Sequence, residues 1–125
     1  MLAAAPSNYS GGIDAVAALI YVSVVTPVFE ELIFRGYVWN RLRMEFKNDW
    51  SAYVAVTVLF ALWHLGYADA VAFRSGAAGA DLARIMLWKV LTGLGFGIVL
   101  GGLRLKTKNC YSTMLLHGVM NIFGG

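Results

Sequence analysis

The sequence predicts an all-α protein, a polytopic membrane helical bundle of about four transmembrane helices, and three observations predict it. Hydrophobic residues make up 59% of the 125-residue chain and charged residues only 14%, outside the ordinary range of soluble domains. The apolar residues gather in blocks of roughly 17 to 27, the length a helix rising about 1.5 Å per residue needs to cross about 30 Å of hydrocarbon. The cations sit mainly in the connections between blocks, so the net charge of +3 reads as membrane topology and not as a nucleic-acid surface.

Met1 to Gly12 is small and polar, lacks the basic start and apolar core of a signal peptide, and reads as an N-terminal arm ahead of a membrane-embedded core over residues 13–125. The first block runs from about Ile13 to Trp39. Pro27 removes a backbone donor there and disfavours helical geometry at Thr26, which predicts a kink or break. A polar connection follows at Asn40 to Asp49, with Arg41, Arg43 and Lys47. The second block, about Trp50 to Tyr67, is β-branched and aromatic, but its length favours a spanning helix. Ala68 to Asp81 is rich in small residues and reads as a loop.

The third block, about Arg84 to Leu103, carries Gly93, Gly97 and Gly101 four apart, a face against which another helix can pack closely. After the basic connection Arg104 to Lys108, the fourth block runs from about Cys110 to the chain end. Cys110 is the single cysteine, which excludes an internal disulfide and a cysteine-based metal site. Four spans in series put the first and third connections on one side, and their cations assign that side to the cytoplasm.

Ionisable residues inside a span cost several kcal/mol each and call for a reason. Here they are Glu30, Glu31 and Arg35 in the first block, His64 in the second, and His117 with the polar Asn121 in the fourth. Counted from the cytoplasmic edge, Glu30 and His117 lie at a depth of about 14 Å and His64 and Asn121 at about 20 Å. Residues four apart share a helix face, so His117 pairs with Asn121, while Glu31 and Arg35 can form an ion pair. Glu30 points about 100° away from Glu31. A carboxylate and two imidazoles can activate water, directly or through a metal, and Asn121 with one histidine can donate to an oxyanion. Each residue alone also has a structural reading: His64 bonded to a carbonyl, Glu-Glu-Arg as a helix clamp, Asn121 as packing glue, Phe60 as a core aromatic. Their joint occurrence at similar depth favours one site.

Three ordered motifs are then recognisable. Glu30-Glu31-Leu-Ile-Phe-Arg35, Phe60-Ala-Leu-Trp-His64 and His117-Gly-Val-Met-Asn121 resemble the EExxxR, FxxxH and HxxxN motifs of the CAAX-protease and bacteriocin-processing family of intramembrane endopeptidases. The resemblance covers about Pro27 to Asn121 and implies a multi-pass protein, here expected in the cell membrane of a prokaryote. It implies Glu30 as the general base, His64 as a holder of the water, His117 and Asn121 as oxyanion donors, and Glu31, Arg35 and Phe60 in support. The motifs leave metal dependence open: Glu30, His64 and His117 could furnish ligands to a divalent metal such as zinc. The expected partners are membrane lipids and a peptide or protein substrate, lipidated or not, cut near its C-terminus or in a leader. Oligomeric state is left open. Family members carry further spans before the first motif, so the chain reads either as a minimal member or as a core without its upstream helices; its end at Gly124-Gly125 reads as a trimmed span. Two other readings stand beside peptidase action: a bacteriocin-immunity or phage-resistance protein acting by binding, and a proton or ion pathway.

Overall fold

The computed structural model describes residues 12–123; the N-terminal arm, Gly12 excepted, and the terminal Gly124-Gly125 lie outside them. Helix runs through nearly all the described residues as three long rods and one short helix. The first rod, Gly12–Phe46, comprises α1 (Gly12–Ile20), a widened π-helical segment (Tyr21–Val25), α2 (Thr26–Glu31), a second π-helical segment (Leu32–Val38) and α3 (Trp39–Phe46). Pro27 neither breaks this rod nor expels Thr26 from helical geometry, since Thr26 keeps φ −62° and ψ −49°. The Thr26 N–H instead reaches back five residues to the Tyr21 carbonyl. That wider turn relieves the clash a proline ring makes with the carbonyl four residues before it.

Lys47 closes the first rod in a left-handed conformation, φ 53°. Asn48 then caps the next helix, its Oδ1 accepting from the Trp50 N–H at 2.8 Å. The connection expected over Asn40 to Asp49 is thus almost entirely helical. The second rod joins α4 (Asp49–Trp63), a 3₁₀ turn (His64–Tyr67) and α5 (Ala68–Ser75). The segment read as a loop over Ala68 to Asp81 is corrected accordingly: its alanines are strong helix formers, and only residues 76–78 separate α5 from α6 (Gly79–Thr107). Gly76, at φ 66°, ends α5 where a side chain would be strained.

α6 is the third rod. Its glycine face meets α4: a Cβ on Gly97 would stand 3.0 Å from Thr57 Cγ2, and one on Gly101 would collide with the Tyr53 ring. Thr57 Oγ1 donates to the Gly97 carbonyl at 3.3 Å and Tyr53 OH to the Ile98 carbonyl at 2.6 Å, so the close approach also satisfies polar groups. Arg104, read as part of a basic connection, is buried instead. It donates from Nε to the Arg35 carbonyl at 3.0 Å and from Nη2 to Asn40 Oδ1 at 3.1 Å, with its guanidinium 5.2 Å from the Trp39 ring centre. In the fourth block, α7 (Tyr111–Phe123) has 13 residues, about 20 Å of helix.

Three helices among the described residues are therefore long and apolar enough to cross a membrane. In the first, only 6% of the apolar stretch is buried within the protein, against 28% in each of the others. The apolar surface is turned mainly outward, as a lipid-facing bundle requires. What is buried includes an apolar cluster of Phe34, Trp39, Ala52, Val56 and Phe60, together with all the ionisable residues of the motifs.

Candidate active site

α2 carries Glu30 and Glu31 between the two π-helical segments, and their adjacent positions send them to different partners. Glu31 Oε1 receives Arg35 Nη1 at 3.1 Å and lies 2.7 Å from His117 Nδ1; all three residues are fully buried. The first contact joins residues four apart on one helix and the second reaches across to α7. A carboxylate at this distance accepts from Nδ1–H, which fixes the orientation of the ring and turns Nε2 the other way. There His117 Nε2 faces Glu30 Oε2 at 3.7 Å, and among the described residues neither atom has another hydrogen-bond partner. Glu30 Oε1 accepts from Tyr67 OH at 3.0 Å, and Tyr67 in turn accepts from Trp63 Nε1 at 3.2 Å.

The polar groups thus form one line from Arg35 through Glu31 and His117 to Glu30 and Tyr67. Phe60 holds it from beneath. Its ring lies 4.2 Å from the Arg35 guanidinium carbon and meets the rings of His64 and His117 edge to face, with centroids 5.1 and 5.8 Å away. Phe96 closes the other side of His117 at 5.9 Å.

His64 and Asn121 stand one step outside this line. His64 Nδ1 is 2.9 Å from the Phe60 carbonyl, and the ring leans on Tyr67, with centroids 6.2 Å apart. Gly93 makes room for it, since a Cβ there would come within 2.7 Å of His64 Nδ1. Asn121 donates from Nδ2 to the Val22 carbonyl at 2.9 Å, while its buried Oδ1 has no partner among the described residues. Among the described residues, no three His, Cys, Asp or Glu side chains converge to hold a metal ion.

Sequence reasoning missed Tyr67, Arg104 and the specific task of Gly93. Tyr67 follows His64 by three residues, which share a face in a 3₁₀ turn, so recognising that turn would have found it. Arg104 gave no such signal, because a cation beside a connection usually serves the interface.

A buried line of two carboxylates, a guanidinium and an imidazole inside an apolar helical bundle defines an integral membrane protein with acid-base machinery in its interior. The chain belongs to a family whose model it matches over residues 12–123, described as type II CAAX prenyl endopeptidase Rce1-like. It is also similar to UPF0177 protein YxdF of Lactococcus lactis subsp. lactis (strain IL1403), 24% identical over 119 residues. Those residues are 95% of this chain and 54% of that protein, so the chain spans about half the length of the curated relative it matches. No solved structure matches it significantly.

Proposed function

We propose that the chain is the core of an intramembrane endopeptidase that hydrolyses a peptide bond of a membrane-associated substrate, near a prenylated C-terminus or in a leader. The observation that carries this reading is the confrontation of Glu30 Oε2 and His117 Nε2, two buried polar atoms with no other partner, 3.7 Å apart. Glu30 takes a proton from the attacking water and passes it to the leaving amine. His117, its ring aimed by the Glu31 carboxylate, donates from Nε2 to the oxyanion. Arg35 holds Glu31 in place. His64 borders the same space through Phe60 and Tyr67 and helps hold the water. Of Glu30's two partners, His117 is buried while Tyr67 reaches the surface at 36% exposure, so the substrate approaches past Tyr67. The membrane is a prokaryotic cell membrane, with the ends of the rods near Lys47 and Lys108 in the cytoplasm.

The test is a fluorogenic peptide assay on purified protein in liposomes, with matched peptides carrying or lacking the lipid, in the presence or absence of a chelator. Glu30→Gln and His64→Ala should fold and lose turnover. Undiminished turnover in both would remove the reading. The lipid and chelator arms decide substrate class and metal dependence separately.

A further inference from the structure

The first rod contains two π-helical segments, and in each a carbonyl is bonded by a polar side chain from another helix. In the second segment the Arg35 carbonyl accepts from Arg104 Nε at 3.0 Å. In the first, the Val22 carbonyl accepts from Asn121 Nδ2 at 2.9 Å. The first case has a covalent cause. The ladder there runs five residues back, as the Thr26 N–H to Tyr21 carbonyl bond shows. The next bond in the same register would join the residue 27 N–H to the Val22 carbonyl. Residue 27 is proline and has no N–H. Asn121 therefore donates to the carbonyl that this proline leaves open, and its neighbour Gly118 lets α7 approach, because a Cβ there would collide with the Ser23 carbonyl.

We infer that Asn121 is a positioning residue, which supplies the hydrogen bond Pro27 cannot make and so fixes the turn that presents Glu30 and Glu31. The consequence for the site is rotational. Glu30 and Glu31 lie three and four residues beyond Pro27, and a turn that gains or loses one residue rotates everything after it by about 100°. Glu30 would then leave His117 Nε2, and Glu31 would leave His117 Nδ1. The amide orientation is fixed chemically, because Oδ1 against the Val22 carbonyl would set two acceptors together.

The experiment is a double-mutant cycle of Asn121→Ala and Pro27→Ala, read by thermal unfolding in detergent and by peptide turnover. Alanine at 27 restores an N–H in the register Val22 requires. Asn121→Ala alone should lower the unfolding midpoint and reduce kcat about tenfold, with little change in KM, the size expected when a buried acceptor is stranded. Adding Pro27→Ala should recover most of both losses. A double variant as unstable as Asn121→Ala overturns the inference. So does recovered stability without recovered turnover, which would return Asn121 to the oxyanion. Should Asn121→Ala not fold, Asn121→Leu keeps the volume without the amide donor or a charge and enters the same cycle. The turnover arm rests on the peptidase reading and the unfolding arm does not, so a chain without peptidase activity still decides the coupling.

Discussion

Removing the guanidinium of Arg35 should be among the most destabilising single changes in the chain. Its side chain and that of Glu31 are both 0% exposed, and the Nη1 to Oε1 distance is 3.1 Å. Taking one charge away strands the other in a medium that cannot hydrate it, a loss of about 3–5 kcal/mol for buried pairs. Arg35→Met keeps most of the volume and the contact with the Phe60 ring, 4.2 Å from the guanidinium carbon, so the loss reads charge more than packing. Glu31→Gln strands Arg35 in the same way, while its side-chain carbonyl still accepts from His117 Nδ1. With both substitutions present neither charge is left alone, and the combined loss should fall short of the sum by at least about 2 kcal/mol. Unfolding of the four proteins in detergent micelles, followed by circular dichroism, gives the coupling directly. Losses that add within about 0.5 kcal/mol would show that the two residues act separately, and the line from Arg35 to His117 would lose its first link.

Tyr67→Phe removes the donor to Glu30 Oε1 and leaves the ring beside His64; turnover should fall about 10- to 150-fold with the fold intact, the value of one hydrogen bond to a carboxylate. Steady-state kinetics with the unfolding midpoint as control checks it, and wild-type kcat in Tyr67→Phe would remove Tyr67 from the site. Gly93→Ala places a methyl against His64 Nδ1, whose ring is also tied to the Phe60 carbonyl. Overpacking there should lower stability by about 1–3 kcal/mol and turnover with it. Gly95→Ala on the same helix meets nothing within 4 Å and should change neither, so equal behaviour of the two variants in unfolding and peptide assays would refute the contact.

The rods were legible because length and apolar content alone decide what crosses a bilayer. The depth estimates carried further. They gave Glu30 and His117 the same depth, and those are the two whose side chains face each other at 3.7 Å. They put His64 and Asn121 about a turn deeper, and those two bond instead to the carbonyls of Phe60 and Val22. The limits of the reading have equally local causes. Ala68–Ser75 lacks the bulk of a span and so reads as a loop, although its composition favours helix. The hydrogen bond between Glu31 and His117 joins residues 86 apart, and no local spacing specifies such a pair.

Pro27 is the residue whose sequence reading changed most usefully. A proline followed three residues later by a carboxylate pair predicted interruption, on the argument that a missing donor must weaken the helix. The helix continues because the missing donor is replaced from α7 at Asn121, on the same helix face that supplies His117. One face of α7 thus both holds the first rod in its widened register and places the imidazole that the register serves. The four-residue separation of His117 and Asn121 is the distance over which those two tasks must stay in step. Shifting Asn121 by one position would keep the amide and the imidazole but rotate one against the other by about 100°.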